Sequence, residues 1–150
     1  ASDTFYDQLA RILANLAQHE AVRPTLIAEG AVSLFIEMLK NVSNTNSCEQ
    51  AALALASLST DDEASDAIVR EGGIIPMVEQ LRGNSRACVD QVVLALSNLA
   101  KKRHCRDAML AEGVMLPMVQ LLVTGNKATK QNVARTLGTI SSDDGKGTSH

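Results

Sequence analysis

Aromatic residues are almost absent from this chain of 150 residues: Phe and Tyr together make up 2%, and Trp does not occur. Base-stacking platforms and aromatic cages need several flat rings that converge on one ligand, so the composition argues against both kinds of site. An excess of positive charge is missing as well, because 14 Lys and Arg stand against 17 Asp and Glu, a formal net charge of −3. We therefore do not expect the chain to hold nucleic acid through its phosphates.

Paired cysteines and long apolar runs are also missing. Cys48, Cys88 and Cys105 are odd in number and follow no disulfide or zinc spacing, which is typical of a reduced intracellular protein. No apolar run reaches the ~18 residues of a membrane span, and no charged-then-apolar leader opens the sequence. We expect a cytoplasmic protein, with the nucleus as a second location. Hydrophobic residues still amount to 45%, enough for the core of one domain.

Two sequence landmarks recur with the same period. Glu-Gly occurs at Glu29-Gly30, Glu71-Gly72 and Glu112-Gly113, with steps of 42 and 41 residues. Pairs of the form Leu-x-x-Leu or Leu-x-x-Ile keep the same step. These pairs are Leu13/Leu16, Leu55/Leu58, Leu96/Leu99 and Leu137/Ile140. Because both landmarks move in register, they indicate an internal repeat.

Each repeat is predicted to contain three helices. The first is short and ends at a glycine, which accepts the positive φ that reverses the chain. The second carries apolar residues at helical spacing, and Pro76 and Pro117 are expected near its first position. The third is the longest. The predicted first helices are Val22–Glu29, Ala64–Glu71 and Arg106–Glu112, and the predicted third helices are Glu49–Ser59, Val89–Ala100 and Thr129–Ile140. Pro24 should shorten or tilt the first of the short helices.

A unit with a short, a middle and a long helix resembles the armadillo repeat. The resemblance rests on AEGAVSLFIEML…AALALASLS, REGGIIPMVEQL…VVLALSNLA and AEGVMLPMVQLL…NVARTLGTI. HEAT repeats have a similar period but two helices per unit, and the Gly-x-x-Pro or Gly-x-x-x-Pro corner favours armadillo. The first repeat departs from this pattern, with Leu34 where the later two have proline. The resemblance implies an all-α fold, a right-handed α-solenoid (superhelix) of armadillo repeats.

The resemblance covers three full repeats and the last helix of a preceding one. The predicted armadillo domain, 1–141, divides into a third helix at 4–18 and repeats at 21–60, 61–101 and 102–141. Residues 142–150 are expected to be a disordered tail or a cloning remnant. Neither end resembles the polar cap of a natural solenoid. We therefore expect a segment of a longer array whose ends associate with one another, through apolar residues of the first helix. These residues are Leu9, Ile12, Leu13 and Leu16.

No catalytic or metal-binding constellation stands out in the sequence. His19, His104 and His150 fall in predicted connections or in the tail, without a nucleophile and an orienting acid at motif spacing. His104 and Cys105 lack two further ligands for a zinc site. The acidic run 61–63 is expected to cap a helix rather than to hold a cation. We expect no enzyme activity, no cofactor and no metal.

The third helices carry the candidate binding site. In armadillo proteins these helices stack side by side and line a concave groove that holds an extended peptide, so the resemblance implies such a groove here. Positions three and four residues apart share one face of a helix. The twelve groove residues are Gln8, Arg11 and Asn15; Gln50, Leu53 and Ser57; Gln91, Leu94 and Asn98; and Asn132, Arg135 and Thr139. The amide in the first place of each triplet can pair with the N–H and C=O groups of an extended chain.

The expected function is a protein–protein interaction module, part of a larger scaffold or adaptor, that binds a peptide segment of a partner. The alternative is a regulatory or chaperone-type armadillo region that acts on a tethered enzyme or on myosin. Importin-like members of the family carry Trp beside the groove asparagine. The residues in that place here are Arg11, Leu53, Leu94 and Arg135, which argues against basic nuclear-import cargo.

The one basic run of the chain has two interpretations. Residues 101–106 form either a solvated turn, with cations near a helix C-terminus, or a second docking patch for an acidic partner. The patch would consist of Lys101, Lys102, Arg103 and Arg106.

Overall fold

The computed structural model of the chain describes residues 2–41 and 44–148, and the side chains of residues 5–41 and 44–141. Helices follow one another through this part of the chain, which contains no strand. They are α1 (Ser2–Ala17), α2 (Arg23–Ala28), α3 (Ala31–Lys40), α4 (Thr45–Leu58), α5 (Asp62–Arg70), α6 (Ile74–Gln80), α7 (Arg86–Leu99), α8 (Arg103–Ala111), α9 (Met115–Thr124) and α10 (Lys127–Thr148). The prediction of three helices per repeat is confirmed: α2–α4, α5–α7 and α8–α10 each make one unit, and α1 corresponds to a third helix.

Left-handed glycines separate the first and second helices of every repeat. Gly30, Gly72 and Gly113 have φ values of 84°, 77° and 79°, as the sequence predicted. At the last of these corners the N–H of Val114 donates to the carbonyl of Met109 at 3.1 Å, a bond that satisfies a carbonyl at the end of α8. The chain can therefore reverse without leaving that helix end unpaired.

The three prolines affect the helices in different ways. Pro24 stands at the start of α2, which has 6 residues where α5 and α8 have 9, so the expected shortening is confirmed. The prediction that Pro76 and Pro117 lie near the first position of their helices is wrong by two residues, because α6 begins at Ile74 and α9 at Met115. A helix still tolerates proline at its third residue, since the first four N–H groups of a helix have no intrahelical acceptor that a proline could leave unpaired.

The third helices of the three full repeats begin two to four residues earlier than predicted, because each is preceded by a capping side chain. The N–H of Ser47 donates to Oδ1 of Asn44 at 3.0 Å, and the N–H of Cys88 donates to Oγ of Ser85 at 3.2 Å. Asn126 accepts in the same way before α10. Such caps pair a backbone donor that a helix start otherwise leaves unpaired.

The last helix is also longer than predicted. It continues to Thr148, through most of the segment 142–150 for which the sequence suggested a disordered tail. No proline lies in this segment to interrupt the backbone hydrogen bonds, although Gly145 and Gly147 are poor helix formers. Residues 149 and 150 lie outside the described residues.

Helices of the same kind pack side by side. α1, α4, α7 and α10 form one layer, the second helices α3, α6 and α9 pack behind it, and the short helices pack along the edge. The core fills the space between the layers. Its largest fully buried side chains include Phe35, Leu39, Leu55, Ile68, Met77, Leu96, Met109 and Met118. The third helices thus have one face on the core and the opposite face open. Within the described residues no single helix is long and apolar enough to cross a membrane; α8 and α9 reach that length only together, with a bend of 84° between them.

Candidate functional site

The open face of the third-helix layer carries all twelve predicted groove residues, and none of them is buried. We call this surface the groove face. Each of α1, α4, α7 and α10 contributes three side chains, and neighbouring third helices are in contact. By the register of the repeat, the twelve are assigned to three rows across the layer, with one residue of each row on each third helix.

The first row, Gln8, Gln50, Gln91 and Asn132, is less uniform than its sequence suggests. The side chains of Gln8 and Gln50 make no hydrogen bond within the described residues. Oε1 of Gln91 is buried and also has no partner there. Asn132 accepts a bond at Oδ1 from Nη1 of Arg135 at 3.4 Å. Two amides of this row are therefore free to bind a ligand, while Asn132 is partly engaged by its own helix.

The middle row combines two apolar and two cationic side chains. Leu94 is exposed and Leu53 is half-buried, and these lie on the two central helices. Arg11 on α1 and Arg135 on α10 stand at the outer positions and are both exposed. No carboxylate forms a salt bridge with either arginine among the described side chains. The groove face thus has an apolar centre with one positive charge on each side.

The third row contains a residue that also holds the repeats together. Nδ2 of Asn98 donates to the carbonyl of Ala56 at 3.2 Å and to Oγ of Ser59 at 3.1 Å. Both acceptors belong to the preceding repeat, so Asn98 fixes α7 against the end of α4. Its Oδ1 makes no bond to the described part of the chain and remains an acceptor for a ligand. Thr139 instead donates to the carbonyl of Arg135, one turn earlier in α10.

A ladder of side-chain bonds along the N-terminal ends of the third helices was missed from the sequence. Nδ2 of Asn44 donates to Oδ1 of Asp7 at 3.0 Å, and Oγ of Ser85 donates to Oε2 of Glu49 at 2.6 Å. A third bond of this kind runs from Oγ1 of Thr129 to Asp90. In each case a residue at the start of one third helix donates to an acid on the preceding third helix. We call these three bonds the acid–cap ladder.

The sequence does contain a signal for this ladder. Each acid directly precedes the amide of the first groove row, as Asp7-Gln8, Glu49-Gln50 and Asp90-Gln91, with steps of 42 and 41 residues. The ladder holds neighbouring third helices at a defined offset, and it thereby sets how the amides of adjacent helices line up.

The basic run 101–106 forms the corner between α7 and α8, which we call the basic corner. It differs from the predicted patch, because Arg106 is buried. Its Nη1 donates to the carbonyl of Ala100 at 2.6 Å, closing the corner between α7 and α8. Arg23 does the same at the equivalent corner two repeats earlier, where Nε donates to the carbonyl of Ala17 at 2.7 Å. Arg106 is therefore structural, and its inclusion in a docking patch was wrong.

Lys102 and His104 of this corner face acidic side chains of α5 in the preceding repeat. Nζ of Lys102 lies 2.9 Å from Oδ1 of Asp62, and Nε2 of His104 lies 2.7 Å from Oδ1 of Asp66. Of the predicted patch only Lys101 and Arg103 are left as exposed side chains. Two exposed cations make a much weaker attraction for an acidic partner than the four that were predicted.

The cysteines lie inside the repeats and are poor nucleophiles. All three are buried as free thiols. Burial, with smaller effects from Cys48 and Glu49, raises the pKa of Cys88 to about 12, and burial also raises the pKa of Cys48 and of Cys105. A thiol with a raised pKa stays protonated at neutral pH and reacts slowly. Within the described residues, no three His, Cys, Asp or Glu side chains form a group that could hold a metal ion.

Comparison with known structures identifies the fold. No family model and no curated protein matches the sequence. An engineered protein superposes with a TM-score of 0.85 at 27% identity, over 91% of this chain and 34% of its own. A designed armadillo repeat protein in complex with the peptide (KR)4 gives 0.79 at 21% identity, over 85% of this chain and 54% of its own.

A third structure, of computationally designed armadillo repeat proteins for modular peptide recognition, gives a TM-score of 0.80 at 22% identity, over 85% of this chain and 54% of its own. The chain thus spans a third to about half of the length of these structures. Repeat length, three helices per repeat and these superpositions agree: the chain has the fold of an armadillo repeat protein, an all-α solenoid.

Proposed function

We propose that this chain is a protein–protein interaction module that binds an extended peptide segment of a partner across its groove face, within a larger scaffold or adaptor protein. The observation that carries the proposal is the open face of four neighbouring third helices, with amides, leucines and small polar groups in register. Two of the three structures compared above are described as binding or recognising peptides, which supports the same role for a chain of this fold.

The chemistry of the first row suits a peptide backbone. An amide side chain has both a donor and an acceptor, so Gln8 and Gln50 can pair with an extended chain whatever its side chains are. Each such neutral bond contributes only about 0.5–1.5 kcal/mol net. Tight binding therefore requires contact with several helices at once, and a short peptide should bind weakly.

The dimensions of the layer define the length of the peptide. Packed helices lie about 8–10 Å apart, and an extended chain advances about 3.3 Å per residue. Adjacent third helices thus correspond to about three peptide residues. The three spacings from α1 to α10 correspond to about nine.

The middle row defines the chemistry of the peptide. Leu53 and Leu94 offer apolar contacts at the centre, and Arg11 and Arg135 attract carboxylates at the two sides. The preferred partner is an extended segment with two apolar side chains between acidic residues about nine positions apart. The basic peptide (KR)4 of the designed protein has the opposite charge, and the two arginines here would repel it.

Selection from a displayed library of random 14-residue peptides tests this proposal. The selected sequences should be enriched in Asp and Glu near both ends and in apolar residues between them. The double variant Arg11→Glu/Arg135→Glu should weaken the best selected peptide by at least tenfold, about 1.4 kcal/mol, and the attraction should fall with added salt. Because both arginines are exposed, their replacement should leave the fold intact, as circular dichroism would verify.

The matched control is Lys101→Glu/Arg103→Glu, which makes the same change of charge at the basic corner. This control should bind the selected peptide as the wild type does. If the control loses binding and the groove variant keeps it, the basic corner is the binding site and the proposal is wrong. Asn98→Ala is less suitable as a test, since Asn98 also bonds Ala56 and Ser59 of the preceding repeat.

A further inference from the structure

The second helix of the middle repeat ends earlier than its equivalents. α6 has 7 residues, whereas α3 and α9 have 10 each. Beyond Gln80 the backbone continues through hydrogen bonds between residues three apart, the last of which runs from the N–H of Gly83 to the carbonyl of Gln80 at 2.9 Å. Bonds of this span belong to the tighter 3₁₀ turn. α6 therefore stops about one α-helical turn short of α3 and α9.

A cleft of about 620 Å³ lies at this place, between the connection from α6 to α7 and the C-terminal half of α9. The second repeat supplies one wall of the cleft and the third repeat supplies the other, so the cleft is an internal feature of the solenoid. We call it the arginine cleft. Its lining includes the buried side chains of Leu81, Val89 and Leu121 and the exposed side chains of Arg82, Arg86 and Gln120.

Gln80 bridges the equivalent place at the preceding junction between repeats. Its Nε2 donates to the carbonyl of Leu39, on the first repeat, at 3.1 Å. At the next junction Leu121 stands in the place of Gln80, 41 residues later. A leucine side chain has no donor with which to reach the preceding repeat. The arginine cleft thus lacks the side-chain bridge that spans the first junction.

The lining of the arginine cleft contains two guanidinium groups and no carboxylate. Among the described side chains, no carboxylate forms a salt bridge with Arg82 or Arg86. The nearest acids along the chain are Glu79 and Asp90, neither of which lines the cleft, and Asp90 accepts a hydrogen bond from Thr129. The two arginines therefore place positive charge beside an apolar floor.

We propose that the arginine cleft is a docking site for a segment of a partner protein in which an acidic side chain adjoins an apolar one. A guanidinium group offers a planar pair of N–H donors that matches a carboxylate, and the buried floor offers apolar contact to the neighbouring side chain. The volume of the cleft lies within the range of roughly 300–1,000 Å³ that ligand sites occupy. Charge complementarity thus selects an acidic occupant.

The arginine cleft is separate from the groove face, because none of the twelve groove residues lines it. One partner could therefore contact the cleft while another segment lies across the third helices. The proposal does not rest on peptide binding by the groove face, and its test uses a chain in which that face is altered.

Selection from a displayed library of random peptides provides the probe. The bait is the groove variant Arg11→Glu/Arg135→Glu, so the selected peptides cannot depend on the groove arginines. Peptides that still bind when Arg82→Glu and Arg86→Glu are added to this variant are discarded. The remaining sequences should carry Asp or Glu next to an apolar residue.

Fluorescence anisotropy then measures the affinity of the best selected peptide. The wild type and the groove variant should bind it with similar affinity, whereas Arg82→Glu/Arg86→Glu should bind at least tenfold more weakly. Added salt should weaken binding to the wild type. Both arginines are exposed, so the variant should keep the helix content of the wild type. Lys101→Glu/Arg103→Glu, which makes the same change of charge at the basic corner, should bind as the wild type does.

A second pair of variants tests the cleft itself at constant charge. Gln120→Trp places a large ring at the cleft, and because Gln120 is exposed the fold should persist. This variant should bind the peptide at least tenfold more weakly. Val123→Trp is the matched control: Val123 lies on the same helix, is 75% exposed and does not line the cleft, so its replacement should leave the affinity unchanged.

Four results would overturn the proposal. The first is a selection that yields no peptide dependent on Arg82 and Arg86, even if the cleft binds inorganic phosphate, since it would then be a site for small anions. The second is equal loss of binding in the Lys101→Glu/Arg103→Glu control, which would indicate attraction by net charge alone. The third is full binding by Gln120→Trp. The fourth is self-association of the wild type that Arg82→Glu/Arg86→Glu abolishes, which would make a second copy the occupant.

Discussion

Removal of the Ser85 hydroxyl should destabilise the chain far more than the loss of one oxygen atom suggests. Oγ of Ser85 accepts from the N–H of Cys88 at the start of α7, and it donates to Oε2 of Glu49 on α4. Loss of a helix cap costs about 1 kcal/mol, and a hydrogen bond to a charged group contributes about 1.5–3 kcal/mol when well shielded. Because Ser85 is half-buried, we take the lower end and expect Ser85→Ala to lower the free energy of unfolding by about 2–3 kcal/mol.

Urea unfolding followed by circular dichroism measures this loss, and Ser33→Ala is the matched control. Ser33 also donates from Oγ to a carboxylate, Oε1 of Glu71 at 3.0 Å, but the pair is exposed and caps no helix. An exposed pair contributes about 0–1 kcal/mol, so the control should change the unfolding free energy little. Both variants remove one oxygen atom from a serine, and only the surroundings of that oxygen differ.

A double-mutant cycle with Glu49→Gln separates the cap from the contact between repeats. The part of the Ser85→Ala loss that depends on the Glu49 charge should shrink when Glu49 is already replaced, and the cap part should remain. If Ser85→Ala costs no more than Ser33→Ala, the acid–cap ladder does not stabilise the junction and this reasoning is refuted.

Two other expectations concern the glycines and the cysteines. Gly113→Ala should lower the free energy of unfolding by about 1 kcal/mol, because the φ of 79° disfavours a residue with a Cβ. Gly138→Ala should raise it by up to about 1 kcal/mol, because Gly138 lies inside α10 and no atom would meet its Cβ. Thermal unfolding of the two variants compares these effects. Burial raises the pKa of Cys88 from 9.0 to about 12, so the unfolded chain loses the thiol proton at a lower pH than the folded chain. The free energy of unfolding should therefore fall as the pH rises above 9.0. A thiol reagent at neutral pH should label the three cysteines only on unfolding.

The repeat architecture could be predicted from the sequence because its landmarks are local. A glycine such as Gly72 ends a helix through its own backbone freedom, and Leu96 and Leu99 show the period of a buried helix face. Helical spacing likewise predicts one face for residues such as Gln50 and Leu94, and neither of the two is buried. These are properties of single helices, repeated at a fixed step.

Contacts between repeats could not be predicted in the same way. The bond from Ser85 to Glu49 joins residues 36 positions apart, and its sequence signal, an acid before each amide of the first groove row, emerges only when whole repeats are compared. Arg106 was assigned to the surface as part of the basic run 101–106, expected to be a solvated turn or a docking patch, whereas here it bonds a carbonyl inside the corner. Residues of this kind have their role fixed by a neighbouring helix, and only the packed structure identifies that neighbour.

Because of the acid–cap ladder, one whole repeat can be removed from the chain while the remaining third helices keep bonds of this kind. Every one of its bonds starts at the beginning of a third helix and ends on the acid of the repeat before, so no bond has both ends in one repeat. Excision of residues 61–101, one whole repeat, would put Asn126 in the place of Ser85, opposite Glu49. Thr129, which would move to the place of Cys88, already donates to the acid of the preceding third helix, and Asn126 carries an amide donor like that of Asn44. A chain shortened by one full period thus keeps a donor opposite each remaining acid.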